Sequence, residues 1–286
     1  MSKILENESL ARYTSMRVGG TAKYVAFPES RDELIGVIEY FRSIDMPSLT
    51  VGNCSNLIFR DKDYELAVII TCGVRGIEVD GTRVRVMCGE SMSSLANRCM
   101  ENSLTGLEFC YGIPGTVGGG VYMNAGAYGG EIKDAFVSAE VLDANGNIKI
   151  VMSDYMEFGY RRSNLMNTGD ILLSAEFELT VGDKCAIKAK MDDLMLRRKT
   201  NQPLEYPSCG STFKRPEGHF AGALIEQAGL KGFSVGGAEV SEKHAGFIIN
   251  KNGATATDVL ELIEKVQKTV LDCSGVMLEP EVRIIG

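Results

Sequence analysis

Chemistry first announces itself in this chain between Gly112 and Gly130, read Gly-Ile-Pro-Gly-Thr-Val-Gly-Gly-Gly-Val-Tyr-Met-Asn-Ala-Gly-Ala-Tyr-Gly-Gly, where eight of the nineteen residues are glycine. Glycine costs a fold conformational entropy, so such density implies backbone that approaches something closely or turns repeatedly through positive φ. Successive N–H groups in a loop of this kind form a concave nest for anionic oxygens, phosphate above all. A flexible linker is the plain alternative, but linkers are rich in Ser and charge, whereas Ile, Pro, Val, Tyr and Met are interleaved here. The loop reads as an ordered cradle for a phosphate-bearing cofactor. It fits neither the Walker pattern Gly-x-x-x-x-Gly-Lys-[Ser/Thr] nor the dinucleotide fingerprint Gly-x-Gly-x-x-Gly.

Other reactive side chains are scattered. Eight cysteines (54, 72, 88, 99, 110, 185, 209 and 273) form no C-x-x-C pair, and the two histidines are His219 and His244. Zinc sites need closer, paired ligands, so free thiols and no metal are the expectation. A net charge of −8 argues against nucleic acid as the main partner. The start of the chain is polar, and no run approaches the length of an apolar membrane span. A cytoplasmic protein of 44% hydrophobic and 24% charged residues is expected.

The elements that must position the loop follow from periodicity. Residues 22–28 alternate like a strand, and Ser30 with Glu33 forms a capping box. Leu34, Val37, Ile38 and Phe41 follow with the i, i+3, i+4, i+7 spacing of a helix face, which Pro47 closes. Residues 48–51 then run extended into the turn Gly52-Asn53-Cys54-Ser55-Asn56-Leu57, and a buried strand is expected over 66–71. Past residue 72 a hairpin turns at Asp80-Gly81, a short helix spans 91–100, strands at 135–142 and 147–151 flank Asn145-Gly146, and another strand runs from Ile171 to Val181. Helical periodicity returns from Asp183 through Ile187, Met191, Leu194 and Met195, with Arg197-Arg198-Lys199 in the last turn where cations suit the helix dipole. A helix at 221–228, an extended 245–250, a long helix from about Asp258 and a final strand at 281–286 complete the chain. Three mixed domains are expected, with boundaries at 1–72, 73–182 and 183–286.

Taken in order, Arg17-Val18-Gly19-Gly20, the Gly52–Leu57 turn, the glycine loop, Tyr160-Arg161-Arg162-Ser163, Pro207-Ser208-Cys209-Gly210-Ser211-Thr212-Phe213, the segment Glu239–Phe247 and Glu281-Val282-Arg283 resemble the UDP-N-acetylenolpyruvoylglucosamine reductase family along nearly the whole length. The resemblance implies an α+β architecture: a two-subdomain FAD-binding fold of the vanillyl-alcohol-oxidase (PCMH) type, then a C-terminal α+β substrate-binding domain to which the last strand need not belong. It implies non-covalent FAD, NADPH as hydride donor and a UDP-sugar substrate; the sequence does not fix the oligomeric state, and a monomer is the expectation. The Tyr160-to-Ser211 spacing fits the family's compact subclass.

By the same resemblance Arg161, Ser211 and Glu281 are the catalytic residues. Gly52, Asn53, Ser55, Asn56 and Leu57, then Gly112, Ile113, Pro114, Gly115, Thr116, Gly118 and Gly119, then Asn124, Ala125 and Gly126 are the cofactor residues. Tyr160 and Lys199 fall to the substrate. Cys54 departs from the family's Gly-x-Gly-Ser-Asn turn, and if that position needs positive φ the cysteine is strained. There are two rival readings. One is an oxidase of the same fold, many of which hold FAD covalently through His or Cys, although neither histidine lies in the glycine loop. The other is a non-enzymatic nucleotide-binding module, which has no use for Arg161, Ser211 and Glu281 together.

Overall fold

In a computed structural model, residues 2–286 are described. The chain makes two compact units, each discontinuous in sequence. The first takes the chain up to Glu6, Tyr24–Asn53 and Glu65–Arg197; the second takes Asn7–Lys23, Cys54–Tyr64 and Arg198–Gly286. The cuts therefore fall at other places than 72/73 and 182/183, because short segments of the N-terminal third alternate between the units.

The first unit holds the greater part of a four-stranded sheet ordered Lys3–Ser9, Thr21–Phe27, Asp63–Ile70, Ser48–Val51. Its last pair is parallel, with Ser48 opposite Ala67 and Val51 opposite Ile70. Parallel neighbours need a crossover or a long return, and here the Gly52 turn begins at the end of that strand. The unit's second sheet is antiparallel and ordered Ile148–Met152, Phe136–Leu142, Ile171–Glu178, Arg83–Met87, Ile77–Asp80. Asp80 pairs with Arg83, so the hairpin's two loop residues are Gly81 and Thr82, with Gly81 at φ +58°.

Helix Arg31–Ser43 buries Leu34, Val37, Ile38 and Phe41, the stripe its spacing predicts. Ser30 caps it by accepting from the Glu33 N–H at 3.2 Å. The reciprocal half of the expected capping box is not made: the Glu33 carboxylate accepts instead from the Glu29 N–H and the Ser2 hydroxyl, both at 3.1 Å. Helix Met92–Glu101 is capped by Ser91 and buries Met92, Leu95, Ala96 and Cys99. These faces, together with Val117, Val121, Phe177, Ile187 and Met191, share one apolar core. Arg31 ties helix to sheet through a bidentate pair with Glu140, at 2.8 and 2.6 Å.

The second unit has an antiparallel sheet ordered Ser208–Ser211, Phe247–Asn250, Ala238–Val240, Ser234–Val235. The long helix Ala256–Ser274 covers it with Val259, Leu262, Ile263, Val266 and Val270. Thr255 and Asp258 form that helix's capping box, and the Asp61 carboxylate takes the Ala256 and Thr257 N–H groups at 3.1 and 2.8 Å. A two-stranded parallel pair completes the unit, Leu57–Phe59 beside Arg283–Ile285, with Leu57 opposite Arg283. The final strand thus lies against the segment that follows the Gly52 turn.

Candidate active site

Within the first unit the glycine loop is structured almost throughout. Val117–Tyr122 is a one-turn helix whose cap is Thr116, with Oγ1 accepting from the Gly119 N–H at 3.3 Å. The loop's donors are largely spent inside the protein. Val117 N–H goes to the Glu90 carbonyl, Gly118 N–H to Cys88, and Gly120 N–H to Thr116, each at 2.8 Å. Of the nest expected over Gly112–Gly130, the four N–H groups of Val117–Gly120 are thus met inside the protein. Buried backbone donors must be paired, and these are paired by neighbouring turns.

The glycines serve close approach instead. A Cβ on Gly120 would stand 2.7 Å from the Met92 sulfur, and one on Gly130 would stand 2.5 Å from the Phe109 ring. Gly52 is the most informative. A Cβ there would lie 2.1 Å from Thr116 Oγ1, so the turn after strand Ser48–Val51 and the head of the glycine loop are packed together through a missing side chain. Two predicted cofactor segments meet there. Glycine at such a contact leaves backbone bare for a ligand, and these residues fit a phosphate-bearing flavin nucleotide.

Arg161 sits on a two-residue loop. Gly159 and Arg162 exchange backbone bonds at 3.0 and 3.2 Å, leaving Tyr160 and Arg161 at the tip. Arg161 has φ +54°, in the left-handed region that a long side chain rarely occupies. Such outliers persist where the surroundings over-determine them, and they cluster at functional sites. Its guanidinium lies 4.9 Å from the centroid of the half-exposed Tyr160 ring and donates to the Gly126 carbonyl at 3.1 Å. The buried Ser163 hydroxyl donates to the Tyr122 carbonyl at 2.7 Å, and Asn124 donates to the Gly159 carbonyl at 3.0 Å. The arginine turn is thus mounted on the glycine loop. Arg162 is exposed and faces Glu157 at 3.8 Å, outside this mount.

Within the second unit, Ser211 and Glu281 come together. The Glu281 N–H donates to the carbonyl of Thr212, the residue after Ser211, at 2.8 Å. Phe213 and Pro280 form a bridge on the next step, and Lys214 N–H reaches Glu279 at 2.8 Å. Asn56, expected at the cofactor, donates its side-chain amide to the Glu281 carbonyl at 3.1 Å, across 225 residues of sequence. Its own carbonyl accepts from the Arg283 N–H at 3.0 Å. Ser211 is exposed, while Thr212 is buried with its hydroxyl accepting from the Ile248 N–H at 3.1 Å. Thr212 and Asn56 hold the pair in place, and no motif spacing announced either role.

Cys54 has φ +47° and is 4% exposed, so the glycine that it replaces in the family turn stands at a left-handed position. Cys209 is buried and donates to the Leu57 carbonyl; burial pushes its thiol up to about 12, which suits a bystander rather than a nucleophile. Lys199 is exposed, and its carbonyl accepts from the Lys243 ammonium at 2.7 Å. Burial lowers the His244 pKa, and its Nδ1 accepts from the Gly246 N–H at 3.1 Å. Among the described residues no cluster of His, Cys, Asp and Glu is arranged to hold a metal, and no helix is long and apolar enough to cross a membrane.

Comparison with known proteins adds to this geometry. A family described as "FAD binding domain" matches residues 22–151, and one described as "UDP-N-acetylenolpyruvoylglucosamine reductase, C-terminal domain" matches 202–285. The UDP-N-acetylenolpyruvoylglucosamine reductase of Levilactobacillus brevis is 50% identical over 284 residues, spanning 99% of this chain and 93% of its own. That of Caldanaerobacter subterraneus is 50% identical over 99% and 94%. The crystal structure of the Thermus caldophilus reductase superposes with a TM-score of 0.84 at 33% identity, covering 100% of this chain and 99% of that one. A 6-hydroxy-D-nicotine oxidase from Arthrobacter nicotinovorans matches 63% of this chain and 42% of its own with a TM-score of 0.50 at 14% identity, a likeness of fold alone.

Proposed function

The chain belongs to the UDP-N-acetylenolpyruvoylglucosamine reductase family, and from that premise we propose which of its residues perform the family's reduction. The protein is an FAD-dependent oxidoreductase with the flavin-binding fold of the vanillyl-alcohol-oxidase type. It uses NADPH to reduce the enolpyruvyl ether of UDP-N-acetylglucosamine enolpyruvate, giving UDP-N-acetylmuramate for peptidoglycan synthesis. The Gly52–Leu57 turn and the glycine loop would hold FAD, which would supply the hydride chemistry between NADPH and the terminal carbon of the enolpyruvyl double bond.

Everything else falls to the protein. Hydride arriving at C3 leaves negative charge at C2, spread into the adjacent carboxylate. That charge is too unstable to form unless donors are already aimed at it. Arg161 supplies them: a planar fork that pairs with a carboxylate in two places. Its mount on the glycine loop removes the cost of finding that orientation at each turnover. Ser211 then delivers the proton to C2. A hydroxyl is a weak acid, but the carbanionic enolate is a strong base. Glu281 acts beside it, fixed through its own N–H on Thr212 and its carbonyl on Asn56. The pairing of Glu281 with the residue after Ser211 is the observation that carries this assignment.

Gly52, Asn53, Ser55, Asn56 and Leu57 are proposed to line the pyrophosphate, and the backbone of Gly112–Gly119 and Asn124–Gly126 the flavin. Tyr160 and Lys199 are assigned to the sugar nucleotide. A monomer acting in the cytoplasm, where nucleotide sugars are consumed, completes the reading. Anaerobic spectroscopy tests it. The purified protein should carry yellow flavin that leaves with the soluble fraction on denaturation. The colour should bleach with one equivalent of NADPH and return only when the enolpyruvyl substrate is added. Flavin that stays attached to denatured protein would point to the covalent oxidases, and bleached flavin that this substrate fails to restore would sink the substrate assignment.

A further inference from the structure

The side chain of Asn124 is fully buried. Its Nδ2 donates to the Gly159 carbonyl and to Glu131 Oε2, both at 3.0 Å, and its Oδ1 accepts from the Lys133 N–H at 3.0 Å. Both Nδ2 protons are thus spent within the protein, and Oδ1 already holds one donor. Glu131, in turn, pairs with the Lys133 ammonium at 2.7 Å, and that bond chiefly holds its carboxyl below the usual range, so the Asn124 amide meets a charged acceptor. Asn124 itself has φ +42°, which asparagine tolerates better than most residues.

The consequences run to Arg161. The carbonyl that Asn124 grips belongs to Gly159, which also accepts the Arg162 N–H and so closes the loop at whose tip Arg161 stands. The carbonyl that Arg161 grips belongs to Gly126, two residues after Asn124. One buried amide thereby ties the backbone of the arginine turn to the strand end that orients the guanidinium. We infer that Asn124 is a positioning residue: through Gly159 and Glu131 it holds Arg161 in its left-handed conformation, and its side chain is not a ligand of the cofactor. This rests on the assignment of Arg161 to the substrate carboxylate.

Two variants test it, each measured in separate half-reactions. Asn124→Asp keeps the shape and removes both Nδ2 donors, placing a second carboxylate against Glu131. Asn124→Gly keeps the backbone conformation and removes every side-chain bond. Rates are read on the flavin-loaded fraction, and bleaching by NADPH should slow far less than reoxidation does, since only reoxidation needs the guanidinium. Reoxidation by the enolpyruvyl substrate should slow by about 10- to 100-fold, the cost of a misplaced catalytic group. Amide hydrogen exchange over residues 159–163 should quicken in both variants, with the core strands unchanged. Arg161→Lys serves as the control. If it slows reoxidation and the Asn124 variants do not, the positioning role is overturned while the Arg161 assignment survives. If Arg161→Lys leaves reoxidation untouched, the assignment beneath the inference fails instead. Loss of flavin from Asn124→Gly, with exchange over 159–163 unchanged, would mark Asn124 as a cofactor residue and overturn the inference.

Discussion

At the scale of single residues, backbone strain marks the places where this chain gave up ordinary preference. Arg161, Asn124 and Cys54 all hold positive φ without being glycine. Cys54 is the simplest to test. Its left-handed conformation disfavours any side chain, so the usual order of alanine above glycine should invert there. Cys54→Gly should be more stable than Cys54→Ala by about 1 kcal/mol, read from urea midpoints at equal m-value. An alanine variant as stable as the glycine one would contradict the strain. Here sequence was informative, because the departure from the family turn picked out the position, and only the torsion had to be added. The spent donors of Val117–Gly120 were not legible. Composition reports how much glycine a loop contains, not whether its N–H groups face a ligand or the carbonyls of Cys88 and Glu90. Asn124 was legible as a site residue through the family motif, but its partners Gly159 and Lys133 depend on chain packing that no local pattern encodes.

At the scale of elements, apolar spacing predicted the helices well, because burying a stripe is what a surface helix is for. The stripes of Arg31–Ser43 and Ala256–Ser274 are buried as read. Short strands escaped, Leu57–Phe59 above all, because three residues carry no period and this one is defined by its parallel partner Arg283–Ile285. Long-range ion pairs were likewise invisible. Arg31 and Glu140, 109 residues apart, join the first helix to the antiparallel sheet. Hydrogen bonding from Arg31 is the main cause that lowers the Glu140 pKa. The sign follows from linkage. A carboxyl whose folded pKa is depressed contributes stability that is fully present above its unfolded pKa of about 4.3 and is lost as pH falls through the folded value. Glu140→Gln should therefore lower the melting temperature at pH 6 to 7 and flatten its decline below about pH 4.5, where the parent loses the same contribution. Parallel melting curves for parent and variant across that range would remove the pair from the acid response.

At the scale of the whole molecule, the resemblance runs from the first strand to the last, and it says more than the two cores do. A chain can bury Phe177 or Val266 in many ways and for many purposes. The order of short motifs, each at a turn or strand end, is what fixes the chemistry, since function sits on the loops that a scaffold holds. The interleaving of the two units was beyond reach from sequence, because the segments exchanged between them are too short to carry a composition of their own. The central claim is that one catalytic cycle divides into two half-reactions, of which only the second needs Ser211. The measurement closest to it is anaerobic stopped-flow of Ser211→Ala beside the parent. Bleaching by NADPH should proceed at the parental rate. Recovery of the flavin colour on mixing with UDP-N-acetylglucosamine enolpyruvate should slow by about 10²- to 10⁴-fold, the usual worth of a positioned general acid. Recovery at the parental rate would contradict the account, because the proton at C2 would then come from another group.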